Sequence, residues 1–264
     1  MFELTSREGL SIRGAIDAPR EARALAVIVH GFKGFKDWGF FPWVAESLCD
    51  EGIAVARFNM SRSGIGENPD TFDRLDLFAG DTYTTQIHDL MDVVHYVHAE
   101  FRGLPLFLLG HSRGGGIALL AAREIDDLVG VVTWSSIARA DRWDKATKKK
   151  WRAEGTLQVE NSRTKQLMPM STAILDDYEK HASRLDILDS AARLSVPLLS
   201  VHGGRDESVP LVESREIAAR APDSSLLVIE AASHTYNAIH PLVHVPRELE
   251  YAAAVTAHFI NAYA

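Results

Sequence analysis

A serine flanked by glycines is the most chemically informative feature of the sequence. Residues 110–114 read Gly-His-Ser-Arg-Gly, a G-x-S-x-G motif with Ser112 at its centre. An apolar run typical of a buried strand ends at Gly110, and a helix-like run begins near Gly115. On such a strand-to-helix turn a serine projects its hydroxyl from the sheet, and the small neighbours allow close backbone approach. The helix N-terminus behind the serine favours developing negative charge. The pattern predicts Ser112 as a nucleophile; the alternative is a glycine-rich turn with an incidental serine.

Three further polar motifs each follow a predicted strand. The first contains Phe32, the second contains Asp206 and the third contains His234. The motifs are His30-Gly31-Phe32-Lys33-Gly34 after the run 25–29, His202-Gly203-Gly204-Arg205-Asp206-Glu207-Ser208-Val209-Pro210 after the run 196–201, and Ser233-His234-Thr235-Tyr236 shortly after the run 226–229. A nucleophile, an acid and a histidine thus occur in the chain order serine, aspartate, histidine.

With these motifs the sequence resembles the α/β-hydrolase superfamily, over nearly the whole chain. Within it, the chain is similar to the serine esterases of the dienelactone hydrolase-like or cinnamoyl-esterase-like branch. The superfamily keeps its triad in the order found here, unlike chymotrypsin or subtilisin. The resemblance implies that Ser112 is the nucleophile, that His234 is the general base, and that Asp206 orients the imidazole. It also implies that the backbone N–H groups of Phe32 and Arg113 form the oxyanion hole.

Alternatives remain at several of these positions. Glu207 is the rival to Asp206, and an aspartate there also suits a simple turn or helix cap. The chain has 11 histidines, so His234 is singled out only by chain order and by the strand before it. True dienelactone hydrolases use a cysteine nucleophile, so Ser112 does not imply their substrate. The Arg113 guanidinium, placed where many relatives carry glutamine, methionine or leucine, can pair with a nearby carboxylate or with an acidic substrate group; the structural pairing is favoured.

Short apolar runs alternate with helix-like segments through most of the chain, and these elements must position the motifs. Continuous apolar runs indicate strands covered on both faces, as in a parallel sheet. The predicted strands are 25–29, 53–58, 104–109, 128–134, 196–201 and 226–229, with an antiparallel hairpin of 2–5 and 10–17 at one edge. The predicted helices are 41–51, 82–101, 115–124, 212–221 and 247–261. The alternation predicts an α/β fold, and the resemblance specifies a three-layer α/β-hydrolase fold with a mostly parallel sheet of about eight strands.

Residues 136–194 interrupt this alternation. They contain no convincing strand, only polar helix-like pieces at 140–154 and 171–188. The segment is too long for an ordinary loop, so we expect a helical cap inserted into a single domain of residues 1–264. The Lys148-Lys149-Lys150 run within it is interpreted as a solvated helix face, with an anion-attracting rim as the alternative. Four aromatic residues are candidates for either pocket or core: Trp134, Trp143, Trp151 and Tyr178.

Composition narrows the class of protein. The chain has 264 residues, with 28 Lys and Arg against 36 Asp and Glu, a net charge of −8. This balance argues against a basic nucleic-acid-binding protein. Cys49 is the only cysteine, so a reducing compartment is favoured. The sequence shows neither a signal-peptide pattern nor an apolar run of about 18 residues. A cytoplasmic location without a membrane span is therefore predicted.

The combined prediction is a serine hydrolase that cleaves carboxylic esters through an acyl-enzyme, with aryl or hydroxycinnamoyl esters as candidate substrates. The expected partner is a small-molecule ester. The mechanism implied by the triad requires no cofactor, and no metal is expected because no histidine pair has the surrounding ligands of a zinc site. A monomer and a homodimer both remain open. Two alternatives stand: a thioesterase, amidase or peptidase with the same triad, and a non-catalytic binding protein with a hydrolase fold.

Overall fold

An eight-stranded sheet forms the centre of the protein. The structure is a computed structural model that describes residues 1–264. The strands of this sheet are β1 (Phe2–Thr5), β2 (Ser11–Asp17), β3 (Ala24–Val29), β4 (Ile53–Phe58), β5 (Leu106–His111), β6 (Leu128–Trp134), β9 (Leu198–Gly203) and β10 (Ser224–Ile229). Their order is β1-β2-β4-β3-β5-β6-β9-β10. The first two pairings, β1 with β2 and β2 with β4, are antiparallel, and all others are parallel.

Helices cover both faces of the sheet. They are α1 (Phe41–Asp50), α2 (Leu75–Ala79), α3 (Tyr83–Glu100), α4 (Arg113–Ala121), α5 (Lys145–Glu154), α6 (Ala173–His181), α7 (Ile187–Ala192), α8 (Leu211–Arg220) and α9 (Arg247–Tyr263). Alternate residues of β3 enter two separate cores: Leu25 and Val27 pack in the core that includes residues of α3, α4 and α8, and Ala26 and Ile28 in the core that includes residues of α1 and α9. This division follows from the two-residue period of a strand. The predicted three-layer α/β fold is confirmed.

Residues 136–194 differ from the sequence prediction in one respect. They contain, besides α5, α6 and α7, a two-stranded antiparallel sheet of β7 (Thr156–Glu160) and β8 (Leu167–Ser171). The prediction that this segment has no strand was wrong. The sequence of β8, Leu-Met-Pro-Met-Ser, hides the strand because proline is depleted in strands and methionine favours helices. Here Pro169 pairs opposite Gln158 in a sheet of only two strands, where each strand has a free edge that tolerates proline.

The same segment is tied to the main fold at several places. β8 packs against α2, and α7 packs against α4 and α8. The predicted helix at 140–154 begins only at Lys145, because the Asp144 side chain accepts a hydrogen bond from the Thr147 N–H and caps it. The predicted helix at 171–188 is divided into α6 and α7. None of the helices combines the length and apolarity that crossing a lipid bilayer requires.

Candidate active site

Ser112 occupies the turn between β5 and α4 in a backbone conformation that is unusual for a residue other than glycine. Its φ is 57° and its ψ is −120°. Its N–H donates to the Trp134 carbonyl at 2.8 Å, and its carbonyl accepts from Gly115 N–H at 3.1 Å. Strained conformations of this kind persist where surrounding contacts enforce them, and they cluster at functional sites. The two hydrogen bonds fix the backbone, and the half-buried side chain lines a cavity.

The two glycines of the motif are required by close backbone contacts. A Cβ on Gly110 would lie 2.3 Å from the Gly114 carbonyl oxygen. A Cβ on Gly114 would lie 2.1 Å from the carbonyl oxygen of Val29, the last residue of β3. Both distances are far below van der Waals contact. The motif therefore holds the start of α4 directly against the ends of β3 and β5.

Asp206 and His234 are brought together from two loops, one after β9 and one after β10. The Asp206 Oδ2 lies 2.8 Å from His234 Nδ1. The other carboxylate oxygen accepts from the N–H groups of Ser208, at 2.8 Å, and Val209, at 2.9 Å. Burial of the carboxylate acts to raise the pKa of Asp206, but its hydrogen bond to His234 and the backbone donors outweigh this and lower the pKa to about 2. Asp206 is thus ionised at neutral pH, while the rival Glu207 is exposed.

His202 supports this carboxylate, a role that sequence reasoning missed. Its Nε2–H donates to the Val209 carbonyl at 3.0 Å and lies 3.4 Å from Asp206 Oδ2, while its Nδ1 accepts from the Ser214 hydroxyl at 2.7 Å. Burial lowers the pKa of His202, which favours the neutral ring. Its place as the first residue of the His-Gly-Gly motif was the available signal. The ring fixes the loop that presents Asp206.

His111, which precedes Ser112, was also missed and holds the histidine loop. Its Nε2–H donates to the His234 backbone carbonyl at 2.9 Å, and its ring packs edge-on against Phe40 and Phe41. Burial, reinforced by the nearby His234, lowers the pKa of His111 to about 3. The ring is therefore a neutral structural donor. It links the serine turn directly to the loop that carries His234.

The turn after β3 lies beside Ser112. A Cβ on Gly31 would be 3.0 Å from the Ser112 Cβ and 3.5 Å from its Oγ. His30 Nδ1–H donates to the Gly31 carbonyl at 2.9 Å, and its Nε2 accepts from the Met60 N–H at 3.2 Å. Burial lowers the pKa of His30 to about 4, so the ring is neutral and holds the turn in place. The Phe32 N–H donates to no backbone or side-chain acceptor.

Arg113 combines a free backbone donor with a loosely paired side chain. It is the first residue of α4, where N–H groups lack an acceptor within the helix. Its guanidinium lies 4.1 Å from the Phe32 ring centroid and 5.2 Å from that of Tyr83. Its nearest carboxylate oxygen, Asp81 Oδ2, is 3.7 Å from Nη1, too far for a hydrogen bond. The predicted structural pairing exists only in this loose form, and the buried Nη1 has no hydrogen-bond partner.

A cavity of about 920 Å³ opens onto these groups. It is lined by Ser112, His234, Phe32 and Arg113 together with residues of the segment 136–194. The residues of that segment at the cavity are Ile137, Arg142, Trp143, Asn161, Ser162 and Arg163. The sequence-predicted site residues therefore converge on one cavity, except that Asp206 lies behind His234 with its side chain fully buried.

The remaining candidates mostly lie elsewhere. Of the four aromatic residues, only Trp143 lines the cavity. Trp134 and Trp151 are buried in the two cores, and Tyr178 packs against the core that contains Trp151. The Lys148–Lys150 run does not line the cavity: Lys148 pairs with Asp141, and Lys150 lies 3.8 Å from Glu154. No group of three or more His, Cys, Asp or Glu side chains is arranged to hold a metal ion.

Comparison with known proteins gives one family and several structural relatives. A monoglyceride lipase homolog of Monkeypox virus is 28% identical over 120 residues, which are 45% of this chain and 40% of that protein's length. Est1E from Butyrivibrio proteoclasticus, solved with ferulic acid bound, is 21% identical to this chain and has a TM-score of 0.73. The superposition covers 100% of this chain and 99% of the Est1E chain. The Paleococcus ferrophilus monoacylglycerol lipase is 18% identical and has a TM-score of 0.68, and the superposition covers 96% of this chain and 99% of the lipase chain. At such identities the structural likeness establishes the fold alone.

The family assignment rests on the sequence itself. Residues 20–184 match the family described as "Serine aminopeptidase, S33". The matched region contains Phe32, Ser112 and Arg113 but ends before Asp206 and His234. Since the match spans more than half of the chain and the fold agrees, the chain belongs to this S33 family of the α/β-hydrolase superfamily.

Proposed function

We propose that this protein is a serine hydrolase that cleaves carboxylic esters through an acyl-enzyme intermediate. The observation that carries the proposal is a convergence of two parts. Ser112 is held at a φ of 57° on the strand-to-helix turn. His234, bonded through Nδ1 to Asp206 at 2.8 Å, lines the same cavity. A nucleophile and an oriented imidazole on one cavity suit acyl transfer.

In the proposed acylation step, His234 Nε2 takes the Ser112 hydroxyl proton as Oγ attacks the ester carbonyl carbon. The resulting oxyanion accepts hydrogen bonds from the N–H groups of Phe32 and Arg113. His234 then returns the proton to the departing alcohol as the carbon–oxygen bond breaks. Asp206 remains ionised and stabilises the imidazolium throughout. The product of this half-reaction is an ester between the acyl group and Ser112.

Deacylation repeats these steps with water as the nucleophile. His234 takes a proton from the water as its oxygen attacks the acyl carbonyl, and the same two N–H groups hold the oxyanion. Collapse returns the proton to Ser112 Oγ and releases the carboxylic acid. Both half-reactions use only side chains and backbone donors of this chain.

A peptidase that reads a free amino terminus is the alternative suggested by the family description. Such an enzyme needs acidic side chains for the substrate ammonium group. Glu207 is the only acidic residue among the 24 that line the cavity, against five lysines and arginines. This charge balance favours an ester substrate over an aminopeptidase substrate.

We further propose that residues 136–194 act as a cap over the active site within a single domain of residues 1–264. Trp143 and Arg163 of this segment line the cavity together with Ser112. A cap of this kind sets the space available to the acyl and alcohol groups. Hydroxycinnamoyl esters and monoacylglycerols are the first candidates, because relatives of this fold are described by ferulic acid binding and by monoacylglycerol lipase activity.

Hydrolysis assays test the proposal. We expect turnover of p-nitrophenyl esters of two to twelve carbons, with methyl ferulate and a monoacylglycerol as further substrates. Ser112→Ala should lower kcat by about 10⁴-fold or more, since removing the nucleophile leaves only binding and oxyanion stabilisation. Ser183→Ala, an exposed serine outside the cavity, is the matched control and should keep full activity. Turnover that survives in Ser112→Ala would refute the assignment, as would the absence of turnover in the wild type.

A cytoplasmic location is also proposed, on the basis of the single cysteine. Cys49 is partly buried in α1, and burial raises the pKa of its thiol, which reduces its reactivity. Fractionation of cells that express the tagged protein tests the location. Recovery outside the cytoplasmic fraction would contradict it.

A further inference from the structure

The wall of the active-site cavity carries a charge opposite to that of the protein. Over the whole chain acidic residues outnumber Lys and Arg by 36 to 28. Among the 24 residues that line the cavity the balance is reversed, with five basic residues and one acidic residue. The basic residues are Lys33, Arg113, Arg142, Arg163 and Arg205. A cavity lined by one sign of charge attracts substrates of the other sign.

Lys33 is one of two cations of this wall that lie over the ring of Phe32, a predicted oxyanion donor. It follows Phe32 directly and has a φ of 57°, a conformation that lysine rarely adopts. Its Nζ donates to the Glu160 backbone carbonyl at 2.9 Å and lies 5.5 Å from the Phe32 ring centroid. The side chain is thus held at the cavity by the Phe32 ring and by the last residue of β7.

Lys33 forms no ion pair with a carboxylate, although the Glu160 carboxylate acts on it at longer range. The Glu160 carboxylate is bound instead by Lys165 Nζ at 3.0 Å. Burial and the like charge of Arg113 lower the pKa of Lys33, and the Glu160 carboxylate offsets them only in part. An ammonium group has three donors, and the Glu160 carbonyl satisfies one of them.

Arg113 adds a second cation without full compensation. Its side chain is 6% exposed and its Nη1 has no hydrogen-bond partner, since Asp81 Oδ2 lies 3.7 Å away. By contrast, Arg142 is neutralised by Glu213, with its Nη1 2.8 and 2.9 Å from the two carboxylate oxygens. Lys33 and Arg113 both lie over the Phe32 ring, so two cations without a close ion pair meet beside this residue.

We propose that the preferred substrates are esters that also carry a carboxylate group, and that Lys33 binds this carboxylate with electrostatic support from Arg113. The inference rests on the proposed ester hydrolysis and specifies its substrate class. A carboxylate at this position would supply acceptors for the remaining Lys33 donors. It would also offset the repulsion between the two cations.

Two pairs of substrates that differ in charge test the inference. p-Nitrophenyl hydrogen adipate is compared with p-nitrophenyl heptanoate for a carboxylate on the acyl side. 4-Acetoxybenzoate is compared with 4-acetoxybenzamide for a carboxylate on the alcohol side. The readout is the ratio of kcat/KM for the charged ester to that for its neutral partner, corrected for spontaneous hydrolysis. Because both rates come from the same preparation, partial loss of folded enzyme cancels.

In the wild type we expect the charged ester to be favoured in at least one pair, on the order of tenfold, as for a hydrogen bond between charged groups. The preference should decline with ionic strength. Lys33→Met should abolish it, and Lys33→Arg should retain most of it. Lys149→Met, an exposed lysine of α5 outside the cavity, is the control and should leave both rates unchanged.

The outcomes separate the inference from the proposed function. Hydrolysis that depends on Ser112 but shows no preference for the charged ester in either pair would overturn the inference and leave the function standing. A wild-type ratio retained in Lys33→Met would likewise overturn the inference alone. Absence of hydrolysis of all four esters would overturn both.

Discussion

The hydrogen bond between Asp206 and His234 fixes the tautomer of the His234 ring. An ionised carboxylate at Nδ1 requires a proton there, so Nε2 is left with a free lone pair. Asp206 holds this state because its pKa is lowered to about 2. The two backbone donors from Ser208 and Val209 keep the carboxylate oriented. The arrangement gives the imidazole the tautomer that a general base needs.

Asp206→Asn tests this role. The amide keeps the size of the side chain but presents an NH₂ group that stabilises the other tautomer of His234. We expect kcat for ester hydrolysis to decrease by about 10³- to 10⁴-fold with KM nearly unchanged, because the effect falls on the reacting state. Glu207→Gln, on the exposed neighbour, serves as the comparison. A larger loss in Glu207→Gln than in Asp206→Asn would move the acid role to Glu207.

The sequence singles out residues of the candidate site only where a motif carries them. Ser112, Asp206 and His234 each follow a recognisable strand, and the chain order ranked them above other serines, acids and histidines. His111 and His202 were not predicted as supports, because a neutral buried histidine differs from any other only in its hydrogen-bond partners. The left-handed conformation of Lys33 has no sequence signal either, since glycine is absent at that position.

At the scale of elements, the serine turn depends on how closely three backbones approach. β3 and β5 pair in parallel, with Val29 opposite Gly110. α4 starts directly after Ser112, and its second residue, Gly114, lies against the Val29 carbonyl. The space between helix and strand is too small for any side chain. The position of the Ser112 hydroxyl follows from this packing.

Gly114→Ala should therefore damage both stability and activity. The added Cβ would stand 2.1 Å from the Val29 oxygen and must displace α4. Overpacking of this kind costs about 2–3 kcal/mol, measured as a lower free energy of unfolding in urea, and the displaced turn should lower kcat.

Gly103→Ala is the matched control for this substitution. Its φ is +83°, but a Cβ there meets no atom within 4 Å. We expect a loss of about 1 kcal/mol from backbone strain alone and unchanged kinetics. Equal effects of the two substitutions would show that close contact is not the reason for glycine at position 114.

Elements with strong periodic patterns were predicted nearly to the residue, and those without were not. β4 and β6 match their predicted ranges because continuous buried runs end at polar or turn residues. The hairpin of β7 and β8 was missed because its strands are half-exposed and contain Pro169. The two strands form a separate sheet and have no partner in the eight-stranded one.

At the scale of the whole molecule, a buried acidic pair links α3 to the loops beneath the site. Asp89 is 1% exposed, and its Oδ2 accepts from the Ser61 N–H at 2.7 Å. Asp81 accepts from the Gln86 side chain and lies near Arg113. Burial outweighs these favourable contacts and raises the pKa of each carboxyl to about 7.

These raised pKa values predict a loss of stability as pH rises. Between about pH 4 and pH 7 the folded state keeps protons on the two carboxyls that the unfolded state has released, so unfolding becomes easier with increasing pH. Asp89→Asn removes one titrating group and keeps an acceptor for Ser61. We expect the fall in Tm from pH 5 to pH 8 to be smaller in Asp89→Asn than in the wild type, by a few degrees. An identical pH dependence in both proteins would contradict the raised pKa of Asp89.

The measurement that tests the central claim most directly is the mass of the enzyme during turnover. A p-nitrophenyl ester is mixed with the enzyme, the reaction is stopped with acid, and the intact mass and the digested peptides are recorded. We predict a covalent adduct with the mass of the acyl group, located on Ser112 and present at early times of turnover. An enzyme that turns over the ester without any adduct, or with the adduct on another residue, would contradict the account.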